Sequence, residues 1–339
     1  MGREINRANK KIVDRIIATE ATLVDMKPAR KVVAQPLSPA AFSIGRQAYE
    51  RIQNSHGSIH SCYRGAINVQ TETGLVCVVP RAAGRGPLNI NIDAGALTGA
   101  GNLASGSPVA MSAQGLAFQN GLCVSLSNVE VYEPTGRFEG ALLRPRAIER
   151  NITLARRTAL LMGHLEGVGE LLEAIGGGRE AAPLRSPFSL AALPHVKSLL
   201  RAIRARNVVA AEEATKELVG LGIGLTPSAD DMLSGIMVSL VLGSLNGIGG
   251  DIGGVVSGIG RACRGRTSAL SQEFLFQAAS GRANERVTCL VERICTGGAG
   301  EVRDAVLDAV KIGETSGTDM VVGVILGVKA ALEPEVAGA

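Results

Sequence analysis

Gly222-Ile-Gly-Leu-Thr-Pro-Ser-Ala-Asp-Asp-Met-Leu-Ser-Gly, residues 222–235, passes from glycine-rich turn to an apolar run, and its reading decides how the chain folds. Glycine at every second position from Gly220 to Gly224 breaks regular structure, and Pro227 suits the first turn of a helix, where its missing N–H would have had no partner. The window from Met232 to Gly250 carries no charge and is about as long as a bilayer span. Its serines and glycines, Asn246, and the flanking Asp231 and Asp251 fit a buried helix of a globular domain followed by a turn.

The idea occurs twice. Gly313-Glu-Thr-Ser-Gly-Thr-Asp-Met-Val-Val-Gly matches Ser228 with Ser316, Asp231 with Asp319, Met232 with Met320 and Gly235 with Gly323, all at one offset of 88 residues. Two helices that begin alike, each with Gly one turn after the Asp, can approach closely and set their polar starts side by side in one pocket.

Outward from these motifs, everything after Glu133-Pro-Thr-Gly reads as helix: about 144–162, 165–175, 190–204, 207–219, 228–245, 250–263, 268–280, 284–296, 300–312 and 316–332. Between Ser58 and Val131 the period is two, in runs starting at Ala66, Leu75, Leu88, Pro108, Gly115 and Leu122 and separated by turns such as Gly84-Arg-Gly-Pro and Asn120-Gly. Residues 3–25 have helical spacing before Pro28, Pro36 and Pro39. The expected fold class is α+β: an N-terminal helix and connector (1–56), a small antiparallel β-barrel or sandwich (57–140), and a larger all-helical domain (141–335) carrying both motifs.

Composition narrows the function. With 339 residues, 46% hydrophobic and 19% charged, the chain can bury full-sized cores; with 3% aromatics and 43 glycines, those cores rest on aliphatic side chains and close backbone contacts. The net charge of +4 and the single short basic stretch Arg201–Arg206 exclude a nucleic-acid footprint. Six scattered cysteines without a Cys-x-x-Cys pair read as free thiols of a reducing, cytoplasmic compartment, and the charged N-terminus lacks a secretory signal. The four histidines form no triad or metal spacing, and Gly220-Leu-Gly-Ile-Gly follows a helix and lacks a Lys-Ser/Thr, so no nucleotide loop is read there.

The chemistry is expected at the helix starts. A helix N-terminus presents about four unpaired N–H groups and roughly half a positive charge, which suits phosphate or carboxylate. The plainer alternative is capping, because Ser228 with Asp231 and Ser316 with Asp319 both fit the Ser-x-x-acid box. Asp230 is one acid more than a cap uses, and Gly224, Thr226, Thr315 and Gly317 add hydroxyls and open backbone. Aspartates would repel an anion, so a cation is needed: Arg264 or Arg266, favoured for bidentate recognition, or Mg²⁺, with no dedicated metal site or other cofactor expected. Thr267 and Ser268 lie at a further helix start, and Arg64, Asn68 and Asn89 at strand ends, where they either serve the sheet edge or reach a substrate. Asp230, Asp231 and Asp319 are the catalytic candidates; the remaining residues named here are candidates for binding.

Taken together, Gly220-Leu-Gly-Ile-Gly-Leu-Thr-Pro-Ser-Ala-Asp-Asp, Thr267-Ser-Ala-Leu-Ser and Thr315-Ser-Gly-Thr-Asp, after Arg64-Gly-Ala-Ile-Asn and Gly86-Pro-Leu-Asn-Ile, resemble the AllH-like family over about residues 57–331. Ile223 stands where that family commonly has Pro, and Ala229 where it has Gly. The resemblance implies a subunit of an enzyme of anaerobic allantoin breakdown, a carbamoyltransferase linking oxamate and carbamoyl phosphate with oxalurate and phosphate. It also implies companion subunits, one similar to acyl-CoA synthetases. A non-catalytic anion-binding scaffold and a stand-alone carboxylase or acyltransferase are the alternatives.

Overall fold

The computed structural model describes residues 39–53, 55–63, 65–134, 136–176 and 183–333. The helix expected over 3–25 and Arg64 lie outside them. The chain divides into two compact units, Met1–Glu133 and Pro134–Ala339.

In the first unit, the period-two runs form a nine-stranded sheet: β1 (Ser43–Gly45), β2 (His56–Tyr63), β3 (Ala66–Thr71), β4 (Gly74–Pro80), β5 (Asn89–Ile92), β6 (Pro108–Ser112), β7 (Gly115–Phe118), β8 (Cys123–Ser125) and β9 (Glu130–Tyr132). Their order is β8-β7-β6-β2-β3-β4-β5-β1-β9. One face turns Ile59, Ile67, Val69, Val76, Val78, Ile90 and Ile92 into a shared core, against which helix α1 (Arg46–Ile52) lays Ala48 and Ile52. The sheet curls like part of a barrel: the segment leading into β1 bonds back to β8 at the far end, Ala41 N–H to Ser125 O at 2.8 Å and Ser125 N–H to Pro39 O at 3.0 Å. It is mixed rather than purely antiparallel. The connection 81–88 carries the chain back alongside β4, so that Cys77 pairs with Asn89 and β5 runs parallel to β4; β1 and β9 are also parallel.

The second unit is α-helical: α2 (Pro145–Met162), α3 (Leu171–Gly176), α4 (Pro187–Arg204), α5 (Val208–Lys216), α6 (Ser228–Leu245), α7 (Gly253–Cys263), α8 (Ala269–Ala278), α9 (Glu285–Thr296), α10 (Ala299–Ala309) and α11 (Ser316–Leu332). A helix apolar on all sides must be a core or a membrane element. Helix α6 has the length and composition of a membrane span, but 83% of it is buried, so it serves here as the core helix of the unit. Helix α11 lies along it, and α2, α4, α8 and α9 pack around the pair.

The contact between α6 and α11 rests on the absence of side chains. A Cβ on Gly235 would overlap the Met320 carbonyl oxygen, one on Gly323 the Met232 carbonyl oxygen, and one on Gly327 the Ser239 hydroxyl. Contacts advance in step along both helices, Gly235 on Gly323 and then Ser239 on Gly327, so the helices run in the same direction with their starts together. The expectation of a helix over 165–175 is corrected to α3 alone. Gly167 and Gly169 interrupt the periodic pattern, and the stretch 164–170 is a loop.

Candidate functional site

The paired helix starts are arranged crosswise. Neither α6 nor α11 has a side-chain cap: Pro227 and Thr315 occupy the cap positions, and neither side chain caps the backbone N–H groups of its helix. Instead, the Asp231 carboxyl of α6 meets the hydroxyls of Ser316 and Thr226, while the Asp319 carboxyl of α11 meets those of Ser228 and Thr315. Thr226 and Ser316 share a hydrogen bond of 3.2 Å across the junction. The capping-box reading therefore fails at both motifs, because each serine serves the other helix's aspartate.

Both carboxyls are buried, Asp231 at 4% and Asp319 at 0% exposure. Asp319 Oδ1 accepts the Val168 N–H at 2.8 Å. Oδ2 of Asp231 and Oδ2 of Asp319 are buried without a hydrogen-bond partner. Burial pushes the Asp319 carboxyl up to about 6, and raises that of Asp231 well above the usual carboxylate range, because the charged form is desolvated. The charges that weigh on them are other acids, Asp319 and Asp230 on Asp231, and Glu166 on Asp319. Two convergent helix N-termini offset part of this cost.

A stability test follows. A carboxyl raised in the folded state favours folding while it is protonated, and this contribution disappears as pH rises from its ordinary value of 3.8 through about 6. At one pKa unit per 1.36 kcal/mol, the loss is on the order of 2–3 kcal/mol. The melting temperature of the isolated chain is expected to fall between pH 4.5 and 7.5, and Asp319→Asn to flatten that fall; identical slopes in both proteins would show that the carboxyl does not titrate there.

Asp230 has a different task. Its Oδ1 accepts the Gly220 N–H at 2.7 Å, and its Oδ2 accepts hydroxyls from Thr267 and from Ser271, the latter at 2.6 Å. Ser268 caps α8 by accepting the Ser271 N–H at 3.1 Å and donates to the Leu225 carbonyl. Asp230, Thr267 and Ser268 thus anchor the glycine loop to α8 and position the site without facing the unpartnered oxygens. Gly220, Gly222 and Gly224 all have positive φ, and a Cβ on Gly222 would run into Ser228 N.

The helix-start amides are largely occupied within the chain. Ala229 N–H donates to Leu221 O, Asp230 and Asp231 N–H to Pro227 O, and Gly317 N–H to Ile312 O. The expected anion cradle of backbone N–H groups is to that extent replaced by a hydroxyl layer of Thr226, Thr315 and Ser316, partly exposed above the acids. Arg266 is exposed, and Arg264 lies over the Phe276 ring. In the β unit, Asn68 sits on the interior strand β3 and donates to Ser61 Oγ at 3.0 Å; Asn89 donates to Gly84 O at 3.0 Å. Both asparagines hold their own sheet and loop together. None of the six cysteines is in a disulfide, and no cluster of three or more His, Cys, Asp or Glu that could hold a metal ion is found among the described residues.

Sequence reasoning missed one wall of the site, the loop 164–170. Thr318 Oγ1 accepts the His164 N–H at 2.9 Å, and Gly167 is packed so tightly that a Cβ there would overlap both the Asp319 carboxylate and Ser228 Oγ. Ser186 and Ser189 donate to the Gly167 carbonyl at 2.5 and 3.2 Å and fix the loop. The glycines of Gly163-His-Leu-Glu-Gly-Val-Gly were the available signal.

Two family models match the chain: one described as oxamate carbamoyltransferase subunit AllH over residues 218–328, which spans both motifs, and one described as the AllH family N-terminal domain over residues 40–131. Comparison with curated proteins and with solved structures gives no match.

Proposed function

The chain belongs to the AllH family, and from that premise we propose that it is the subunit of an oxamate carbamoyltransferase that holds a small substrate at the paired starts of α6 and α11. The observation that carries this reading is the reciprocal pairing of Asp231 and Asp319 with serines of the opposite helix, which leaves one buried carboxylate oxygen on each without a partner. A purely structural contact would not leave one such atom on the equivalent aspartate of each helix, since an unsatisfied buried polar group costs about 1–3 kcal/mol.

The reaction transfers a carbamoyl group. A phosphate oxygen attacks the carbamoyl carbon of oxalurate, the bond from that carbon to the oxamate nitrogen breaks, and the departing nitrogen takes up a proton, giving oxamate and carbamoyl phosphate. Substrates of this kind carry carboxylate or phosphate oxygens beside amide N–H groups. The hydroxyls of Thr226, Thr315 and Ser316 can donate to the former and accept from the latter, with Arg266 available for charge. The family departures leave this layer intact, because Ile223 is 76% exposed and Ala229 is packed in the core.

The test is carbamoyl phosphate formation from oxalurate and phosphate, measured with this chain alone and with its companion subunits, including the one similar to acyl-CoA synthetases. Turnover is expected only in the assembled complex and only when this chain is present. Turnover by the companions without it would reduce it to a scaffold, and absence of carbamoyl phosphate from the full complex would refute the assigned reaction.

A further inference from the structure

We propose that Asp231 and Asp319, with the hydroxyls of Ser228, Ser316, Thr226 and Thr315, form a divalent-cation site of the Mg²⁺ class at the junction of α6 and α11. Every donor is a hard oxygen. Two are carboxylates from equivalent positions of parallel helices, Ser316 and Ser228 meet them crosswise, and Thr226 and Thr315 each meet the aspartate of their own motif. Hard divalent cations select such all-oxygen sets, completing their shell with water or with substrate oxygens.

The acidic pair alone would not carry this. The second observation is the pair of orphaned atoms: Oδ2 of Asp231 and Oδ2 of Asp319 lie in residues 4% and 0% exposed, without any hydrogen-bond donor. By contrast, both oxygens of the adjacent Asp230 and Oδ1 of Asp319 accept hydrogen bonds. With both carboxyls ionised, as a bound cation would require, the two helix starts would offset only about half a charge each. The charges that weigh on the pair are acidic, so the balance calls for a cation from outside the chain. Such an ion would also remove the conflict of an acidic site serving anionic substrates, and in this respect the inference rests on the function proposed above.

The test reads binding by the chain itself, so that it can fail independently of the carbamoyl-transfer assay. Purified full-length protein, stripped with chelator, is titrated with Mg²⁺ by calorimetry and with Mn²⁺ by electron paramagnetic resonance, and its melting temperature is followed with each ion. One saturable site per chain is expected, with a rise in melting temperature. Asp231→Asn with Asp319→Asn should abolish the site, while Asp304→Asn, an exposed acid, should leave it unchanged. Ser228→Ala with Ser316→Ala keeps both charges and should weaken binding by about tenfold. No saturable binding by the wild type, or binding equal in the aspartate variant, would overturn the proposal; a complex that turns over without such binding would leave the carbamoyl-transfer reading standing.

Discussion

Gly323→Ala should destabilise the helical unit by roughly 2–3 kcal/mol, even though alanine is the better helix former by about 1 kcal/mol. The added Cβ would land on the Met232 carbonyl oxygen and within 3 Å of the Gly235 Cα and the Ile236 nitrogen, all backbone atoms of α6 that cannot rotate aside. The helices must therefore separate, and with them the crosswise pairs Asp231–Ser316 and Asp319–Ser228. For a chain of this size the melting temperature should fall by about 5–10 °C. Gly300→Ala is the matched control. It lies within α10, a Cβ there meets nothing within 4 Å, and its φ falls outside the left-handed region, so it should gain about 0.5–1 kcal/mol. Equal effects from the two substitutions would mean that the close approach of α6 and α11 is not what holds them together.

The double substitution Asp231→Asn, Asp319→Asn should have the opposite profile, losing activity while keeping the fold. Amides are nearly isosteric with the carboxyls and carry no charge to desolvate, so above pH 7 the variant should melt at or above the wild-type temperature. Carbamoyl phosphate formation by the assembled complex should nevertheless fall by about 10²–10³, the size of effect seen when a site group that stabilises developing charge is removed. Loss of activity with a retained or raised melting temperature is the mark of a site maintained at the expense of stability. A drop in melting temperature parallel to the loss of activity would return both aspartates to a structural role. Asp230→Asn should behave in that structural way, since its oxygens tie Gly220, Thr267 and Ser271 together.

Much of this protein is legible in its sequence. The shift from period two to helical period separated the β and α regions, and the ends of α6 and α11 fall where the Thr-Pro-Ser and Thr-Ser-Gly signals place them. The four matched positions at one offset announced that two helices are used alike. What local pattern could not show is which side chain answers which. Ser228 and Asp231, three residues apart, satisfy the capping-box rule, and that rule describes neighbours along one helix. Here it lost to a tertiary contact, because Gly235 and Gly323 let the helix starts come close enough for each serine to serve the other helix's aspartate.

The same distinction explains the other differences. Asp230 and Asp231 are adjacent and look equivalent in sequence, but successive residues of a helix point in directions about 100° apart. One therefore faces the Gly220 loop and α8, and the other the junction with α11. The loop around Gly167 escaped notice because a glycine that makes room for a distant carboxylate resembles any other helix breaker. The parallel pairing of β4 with β5 depends on where the 81–88 connection returns the chain, which alternation alone does not specify. By itself, then, the sequence determined the α+β class, the element types and the two motifs, all consequences of local periodicity and short-range chemistry, while the family followed from the resemblance of the ordered motifs. Only the tertiary structure decided that Asp231 and Asp319 are buried at one junction with an unpartnered oxygen each, because burial and pairing depend on the packing of segments about 90 residues apart in sequence, which no local pattern encodes.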